Sequence, residues 1–445
     1  MSQGLKISVA GIRGIYPVSL TPEIALKFGL TYGNFLKEKD VYVGRDTRIS
    51  GDILKYAIIS SLCATGKNVI DLGITPTPII EYAVEKNKNV GGVIITASHN
   101  PFQYNGIKFL SSKGTFLNEK EGKEFLELFK KGRVNFSKIP GSIKVDAGII
   151  DRYYQEIYKN IMVEEIKKSN FKVVVDVCQG VGALYTKKFL EGLNCKVEII
   201  NEKPYGIFSH DPEPKKETLK QLSEYIKKKK ADIGFAQDPD GDRLAIVDEK
   251  GNIIGEEMVL AICVKNILEK FKTSIVVNLS TSMIIDKIAE KFGVKVYRTK
   301  IGEVNVVEKM KKVKSIIGGE GNGGVIYSPV HYGRDSFVGM SLILEYMAKK
   351  GKKISEIISE LPSYYMKKEK YKVDIPRMKK IMEKIKRRYQ KEKIDFTDGV
   401  KIIRENGWIH IRPSGTEPVL RLIVESIDKR ILNDYLEEFR SFLKE

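Results

Sequence analysis

Apolar residues recur along this chain with two alternating periods. Thr21-Pro22 reads as a side-chain cap followed by proline at the first helical position. Ile24, Ala25, Phe28, Tyr32, Phe35 and Leu36 then follow at helical spacing. A short strand is expected at Val41-Tyr42-Val43, a helix through Ile53 to Leu62, a strand around Val69-Ile70, a helix near Ile79 to Val84, and a strand at Val93-Ile94-Ile95. The pattern returns at Val173-Val174-Val175 and Asp232 to Phe235, and again at Ser274 to Val277 and Ser315 to Ile317. Three related mixed α/β domains in series are therefore predicted.

Each of these predicted domains closes with an apolar strand that enters a polar loop: Thr96 to Asn105, Asp238 to Arg243, and Gly318 to Gly324. Ligands of open α/β sheets gather beyond the carboxyl ends of strands, so the three loops are expected to converge on one cleft. After Leu361-Pro362 the chain reads as a Lys-rich linker, then a helix opened by Pro376 with the stripe Met378, Ile381, Met382, Ile385 and Tyr389. A smaller C-terminal α+β domain follows, its strands Trp408 to Ile411 and Val419 to Val424 flanking a turn. The expected domains are 1–149, 150–250, 251–365 and 366–445.

Composition narrows the class. At 445 residues, 42% hydrophobic and 30% charged, the chain is a folded multidomain protein and neither a disordered tail nor a disulfide-stapled miniprotein. It has no run of about 18–20 apolar residues and no signal-like start at Met1 to Lys6, which predicts a cytoplasmic protein without membrane attachment. Cys63, Cys178, Cys195 and Cys263 lie far apart without a C-x-x-C pair and read as buried free thiols. The formal charge of +19 favours anions. Its basic residues are dispersed without aromatic interleaving, so solvated helix faces and a small phosphorylated ligand fit better than a polyanion-binding module; nucleic acid is not expected.

The loops carry the chemistry. Thr96-Ala97-Ser98-His99-Asn100-Pro101 continues through Tyr104-Asn105-Gly106 to Lys108. Serine needs activation to act as a nucleophile, and no G-x-S-x-G elbow surrounds Ser98, which argues against an ordinary esterase. Asp238-Pro239-Asp240-Gly241-Asp242-Arg243 places three hard oxygen donors at alternate positions, suited to Mg²⁺ or Ca²⁺. An EF-hand fails, because Arg243 stands where that loop needs glycine and Leu244 to Val247 reads as a strand.

Gly318 to Gly324 contains a G-x-G-x-x-G match, but Val325-Ile326-Tyr327 after it is strand-like and offers no helix N-terminus for a pyrophosphate. Glu320 and Asn322 suit polyol hydroxyls; a plain hairpin turn is the alternative. Arg412, Ser414, Gly415 and Thr416 form a phosphate-compatible nest, with strand capping as the alternative.

Together, TASHNP (Thr96 to Pro101), DPDGDR (Asp238 to Arg243) and RPSGTEP (Arg412 to Pro418), in this order across the whole chain, resemble the α-D-phosphohexomutase superfamily: the phosphoglucomutases, phosphomannomutases and phosphoglucosamine mutases. The resemblance implies four domains around a central cleft and interconversion of hexose 1- and 6-phosphates through a 1,6-bisphosphate. Ser98 would be carried as phosphoserine and would share a Mg²⁺ with Asp238, Asp240 and Asp242. Lys108 and His99 match residues linked to proton transfer and to the phosphoserine, and Arg13 and Arg243 match arginines beside it. A Lys108 pKa lowered by burial is expected on this reading. Glu320 matches the sugar-binding glutamate of a G-E-x-S-G-H loop, whereas Asn322 and Gly324 replace its serine and histidine. That variant is similar to archaeal members. Arg412, Ser414, Gly415 and Thr416 match the loop that grips the phosphate not being transferred. A hinge is expected near Leu361 to Tyr371, and a monomer or homodimer overall. A Mg²⁺-dependent sugar phosphatase is the alternative within enzymes.

Overall fold

The computed structural model describes residues 4–8, 11–414 and 418–444. Four sheets follow one another along the chain. The first orders its seven strands as Lys6–Ser8, Gly11–Ile15, Tyr104–Leu110, Val90–Ile95, Asp40–Arg45, Asn68–Ile74 and Ile143–Val145. The second runs Ile253–Gly255, Leu244–Asp248, Ile233–Gln237, Lys172–Asp176, Lys196–Ile200; the third runs Val296–Thr299, Ile275–Asn278, Ile317–Glu320, Gly324–Tyr327.

A shared unit explains why the three loops meet. In each sheet a parallel trio ends on the strand Val90–Ile95, Ile233–Gln237 or Ile317–Glu320. That strand reverses into an antiparallel neighbour, Tyr104–Leu110, Leu244–Asp248 or Gly324–Tyr327. The three predicted loops are the reversals, so each projects its polar residues from the same edge of its own sheet. The strands behind them are buried, as near-continuous apolar runs covered on both faces require.

Local signals account for the helices. Thr21 caps Pro22–Phe35 by accepting the Ile24 N–H, and Asp374 caps Ile375–Arg388, whose stripe Met378, Ile381, Met382 and Ile385 is buried as expected. Helices two and three of the first domain, Gly51–Ala64 and Thr77–Lys86, extend beyond the expected limits.

The Lys-rich segment after Pro362 is not a linker. Tyr365–Lys372 is an edge strand, paired over its full length with Val419–Ser426 in a five-stranded antiparallel sheet completed by Gly407–Pro413, Val400–Arg404 and Lys393–Asp395. Edge strands accept lysines because one side stays in water, which hides the strand pattern from a hydrophobicity reading. The hinge expectation narrows accordingly: only 360–364 lies between the helix Ile354–Ser359 and this strand.

Tyr153, Tyr154, Phe189 and Phe337 pack together and join the second and third domains in one apolar cluster. Among the described residues no helix is long and apolar enough to cross a membrane. The cysteines are free, three of them buried.

Candidate active site

A cleft of about 1030 Å³ is lined by residues of all four sheets and their loops, among them Ser98, Arg243, Glu320 and Arg412. Ser98 is 3% exposed at its floor. Its φ of 49° lies in the left-handed region, which bends the loop sharply just beyond Ile95. Thr96 Oγ1 accepts the Ser98 N–H at 2.8 Å. Arg48, fully buried, holds the same loop from beneath: Nη2 donates to the Ser98 and Asn100 carbonyls, both at 2.6 Å, and Nη1 to Pro101 and Tyr104. Asp46 pairs with its Nε at 2.9 Å.

Across a domain boundary, the Ser98 hydroxyl donates to Asp238 Oδ2 at 3.0 Å. Asp238, Asp240 and Asp242 are all buried, with one oxygen from each within 4.8 Å of the others. Gly241, at φ 73°, permits the turn that aims them together, and Ser336 Oγ pins it from the third domain by donating to the Gly241 carbonyl at 2.6 Å. One oxygen of Asp240 and one of Asp242 are buried without a hydrogen-bond partner. Burial first, then the charges of Asp242 and Asp240, push Asp238 well above the usual carboxylate range. Converging hard oxygens, unsatisfied and mutually repelling, fit a divalent cation of the Mg²⁺ type.

Cations ring this group. Lys108 Nζ lies 3.2 Å from Asp240 Oδ2. Burial opposes its charge, but Asp240 and Asp242 outweigh that effect and hold its pKa above the ordinary lysine value. This reverses the expectation of a lowered pKa, because carboxylates and not other cations are its nearest charged neighbours. Arg13 Nη1 donates to Asn100 Oδ1 at 2.6 Å, and Arg243 Nε stands 3.6 Å from Asp242 Oδ1. Burial, with help from Arg243 and Arg13, drives the His99 pKa well below its ordinary value, so this imidazole is neutral at pH 7, with Nδ1 3.3 Å from Ser98 Oγ.

The third loop is a hairpin turn that also faces the cleft. Glu320 Oε1 accepts from Asn278 Nδ2 at 2.8 Å and the Gly302 N–H at 2.9 Å, while Oε2 accepts from Arg334 Nη1 at 3.0 Å. Asn322 lines the cleft, its side-chain oxygen accepting the Gly324 N–H at 3.3 Å.

In the last domain, Arg412 pairs with Asp398 at 3.2 Å, and the Ser414 N–H donates to the Val419 carbonyl. Gly415 and Thr416 lie outside the described residues. Arg412 stands directly opposite Arg421, which stands opposite Lys370, a row of three cations across three strands at the cleft wall. Like charges directly opposite destabilise a sheet unless countered, and Asp398 supplies such a counter-charge to Arg412.

Arg48, Arg334, Arg421 and Lys370 were not legible as site residues. Arg48 had a usable signal, since Asp46-Thr47-Arg48 is itself a polar loop beyond the carboxyl end of the strand Asp40–Arg45.

A second support lies behind the Asp238–Arg243 loop, where the Val181 N–H donates to the Pro239 carbonyl. His210 Nε2 sits 3.0 Å from Asp176 Oδ2, and Nδ1 2.8 Å from the Asp211 carbonyl. Burial opposes the imidazolium, but Asp176 and Cys178 outweigh it and raise its pKa to about 11. The resulting stability is fully present below about pH 6.5 and is lost as pH rises through about 11. His210 is 19% exposed, so His210→Asn is expected to cost about 2 kcal/mol at pH 7, less than a wholly buried pair. Urea midpoints should show the gap from wild type closing as pH approaches 11.

The comparisons agree with this architecture. The sequence matches phosphoglucomutase/phosphomannomutase α/β/α domain I over residues 4–135, domain II over 151–251, domain III over 255–365, and the C-terminal domain over 369–441. A phosphoglucomutase/phosphomannomutase of Thermococcus kodakarensis is 42% identical, with 96% of each chain covered. A phosphoglucosamine/phosphogalactosamine mutase of Sulfurisphaera tokodaii is 35% identical, with 98% of each covered. The solved structure of a phosphoglucomutase/phosphomannomutase family protein from Burkholderia thailandensis superposes with a TM-score of 0.87 at 25% identity, covering 98% of both chains. Four such domains in series, with that sequence kinship, make this chain a member of the phosphoglucomutase/phosphomannomutase family, the α-D-phosphohexomutases, and a sugar-phosphate mutase.

Proposed function

We propose that the protein interconverts hexose 1-phosphates and 6-phosphates, with glucose, mannose and glucosamine as the candidate sugars, by lending a phosphoryl group from Ser98. The product of that transfer is a hexose 1,6-bisphosphate, which turns over in the cleft and returns its other phosphoryl group to Ser98. One observation carries the reading: a buried serine hydroxyl 3.0 Å from Asp238, in a carboxylate group that fits a divalent cation. In this reading the working units are 1–149, 150–250, 251–365 and 366–445.

Asp238, Asp240 and Asp242 would hold Mg²⁺, which supplies neutralisation of phosphoryl oxygens during transfer. The chain's own residues do the rest. Arg13 and Arg243 offer guanidinium donors beside Ser98. Lys108, kept protonated by Asp240 and Asp242, supplies charge and a proton that can be donated. Neutral His99 offers a hydrogen bond without adding charge. Glu320, ionised because Arg334, Asn278 and the Gly302 N–H outweigh its burial, accepts from sugar hydroxyls, with Asn322 beside it. Arg412, Ser414, Gly415 and Thr416, with the Arg421–Lys370 row, anchor the phosphate that is not being transferred, so that remote binding positions the reacting end.

The test is direct. Purified protein should carry one phosphoryl group by intact mass, mapped to Ser98. Primed with a 1,6-bisphosphate and Mg²⁺, it should convert at least one of glucose, mannose or glucosamine 1-phosphate to the 6-phosphate. Absence of turnover with all three by phosphorylated protein refutes the proposal, and inorganic phosphate as the main product points to a phosphatase. For the anchor, Arg412→Ala should raise KM for the hexose phosphate about 10–100-fold, as loss of a charge-assisted bond of ~1.5–3 kcal/mol requires, with a smaller change in kcat.

A further inference from the structure

Gly324 and Arg334 occupy the space of one another. A Cβ at position 324 would stand 2.3 Å from Arg334 Cδ, 2.9 Å from Cγ and 3.2 Å from Cβ. Any larger residue there forces the stem of the arginine to shift. The glycine is required by space and not by backbone conformation, since its φ is not in the left-handed region.

The guanidinium so admitted joins three separate segments. Its side chain is 9% exposed. Nε donates to Glu303 Oε2 at 2.8 Å, Nη1 to Glu320 Oε2 at 3.0 Å, and Nη2 to Asp242 Oδ2. Glu303 opens the helix Glu303–Val313, Glu320 belongs to the sugar loop, and Asp242 to the metal loop. The next residue anchors the backbone: Asp335 accepts from Tyr153 Oη at 2.6 Å and from the Phe337 and Val338 N–H groups. Three of the five guanidinium donors are thereby engaged, and the side chain still lines the cleft.

We propose that Arg334 is a positioning residue that locks Glu320 towards the sugar and ties the sugar loop to the metal loop, and that position 324 is glycine to admit it. This rests on the sugar-phosphate reading above. A guanidinium suits the task because its planar fork sets the angle between its partners and it does not titrate. Two effects of opposite sign follow. Arg334 keeps Glu320 ionised and aimed, which favours substrate. It also draws on the charge of Asp242, which weakens the hold of the metal loop on a divalent cation.

Arg334→Met, Arg334→Lys, Gly324→Ala and the double variant R334M/G324A in the full chain test this. Mg²⁺ binding is measured by calorimetry without sugar, and kcat and KM with a hexose 1-phosphate. R334M is expected to bind Mg²⁺ about 3–10-fold more tightly while KM rises about tenfold or more. R334K should recover part of both changes. G324A should reproduce R334M, and adding it to R334M should change Mg²⁺ affinity and KM little further, because the guanidinium that the glycine admits is already absent. Mg²⁺ affinity unchanged or weakened in R334M, or G324A and R334M acting additively, overturns the proposal. Should R334M not fold, R334K and G324A carry the same comparison. Should no sugar phosphate turn over in wild type, the mutase reading fails while the calorimetric arm still decides the Arg334–Asp242 tie.

Discussion

Ser98→Ala should lower mutase turnover by at least about 10⁴-fold, about 5.5 kcal/mol on the activation barrier, and should remove the phosphoryl mass from the purified protein. The loss is large because the oxygen deleted is the proposed carrier of the transferred group, and Lys108 beside the carboxylates is protonated and therefore not nucleophilic. The fold should persist. The hydroxyl donates to Asp238 and lies within hydrogen-bond distance of His99 Nδ1, contacts worth about 1–2 kcal/mol together. Alanine meets the same strain as serine at φ 49°, and Arg48 holds the loop through its carbonyls, not through the side chain. A melting temperature near wild type, with Mg²⁺ binding retained and turnover gone, is the expected combination. Turnover within tenfold of wild type would exclude Ser98 as the carrier.

Asp238→Asn should separate stability from function in the opposite manner. Asp238 accepts from the Ser98 hydroxyl and from the Asp242 and Arg243 N–H groups, which an amide oxygen can partly reproduce. Its carboxylate is disfavoured by burial, then by Asp242 and Asp240. A carboxyl whose folded pKa is raised binds its proton more tightly in the folded state. Without a divalent cation the wild type should therefore lose stability as pH rises from the ordinary aspartate range through the raised folded value. The asparagine variant should lack that part of the slope and be the more stable protein at pH 7 in chelator. Its Mg²⁺ affinity should fall about 10²–10³-fold and its turnover about 10³-fold, since one charged arm of the cation group is gone. Melting curves at several pH values, with and without Mg²⁺, read both effects. A variant less stable than wild type in chelator would show that the three carboxylates do not repel one another as the geometry requires.

Much of the site was legible because each piece is local. Ser98, Asp238 and Glu320 each lie in or next to a single tight reversal after an apolar strand, so strand periodicity and turn chemistry expose them without knowledge of the fold. Arg48 and Arg334 were not, since their partners are distant in sequence: Arg48 reaches Ser98 50 residues away, and Arg334 reaches Asp242 92 residues away. The strand Tyr365–Lys372 escaped for another reason. Its alternation is lysine against partly buried residues, a pattern that becomes a strand only when Val419–Ser426 is there to pair with it.

From the sequence alone come the repeated α/β units, the polar loops that close them, and the residue types able to carry phosphoryl, metal and sugar chemistry. Period and turn preference are properties of neighbouring residues, and they survive without a fold. Only the tertiary structure decides which charges face which: that Lys108 looks onto Asp240 and holds its proton, that Arg334 fills the space beside Gly324, and that Arg412, Arg421 and Lys370 fall in one row. A charge takes its pKa and its role from whatever surrounds it within a few ångströms, and in this protein those surroundings are assembled across domain boundaries.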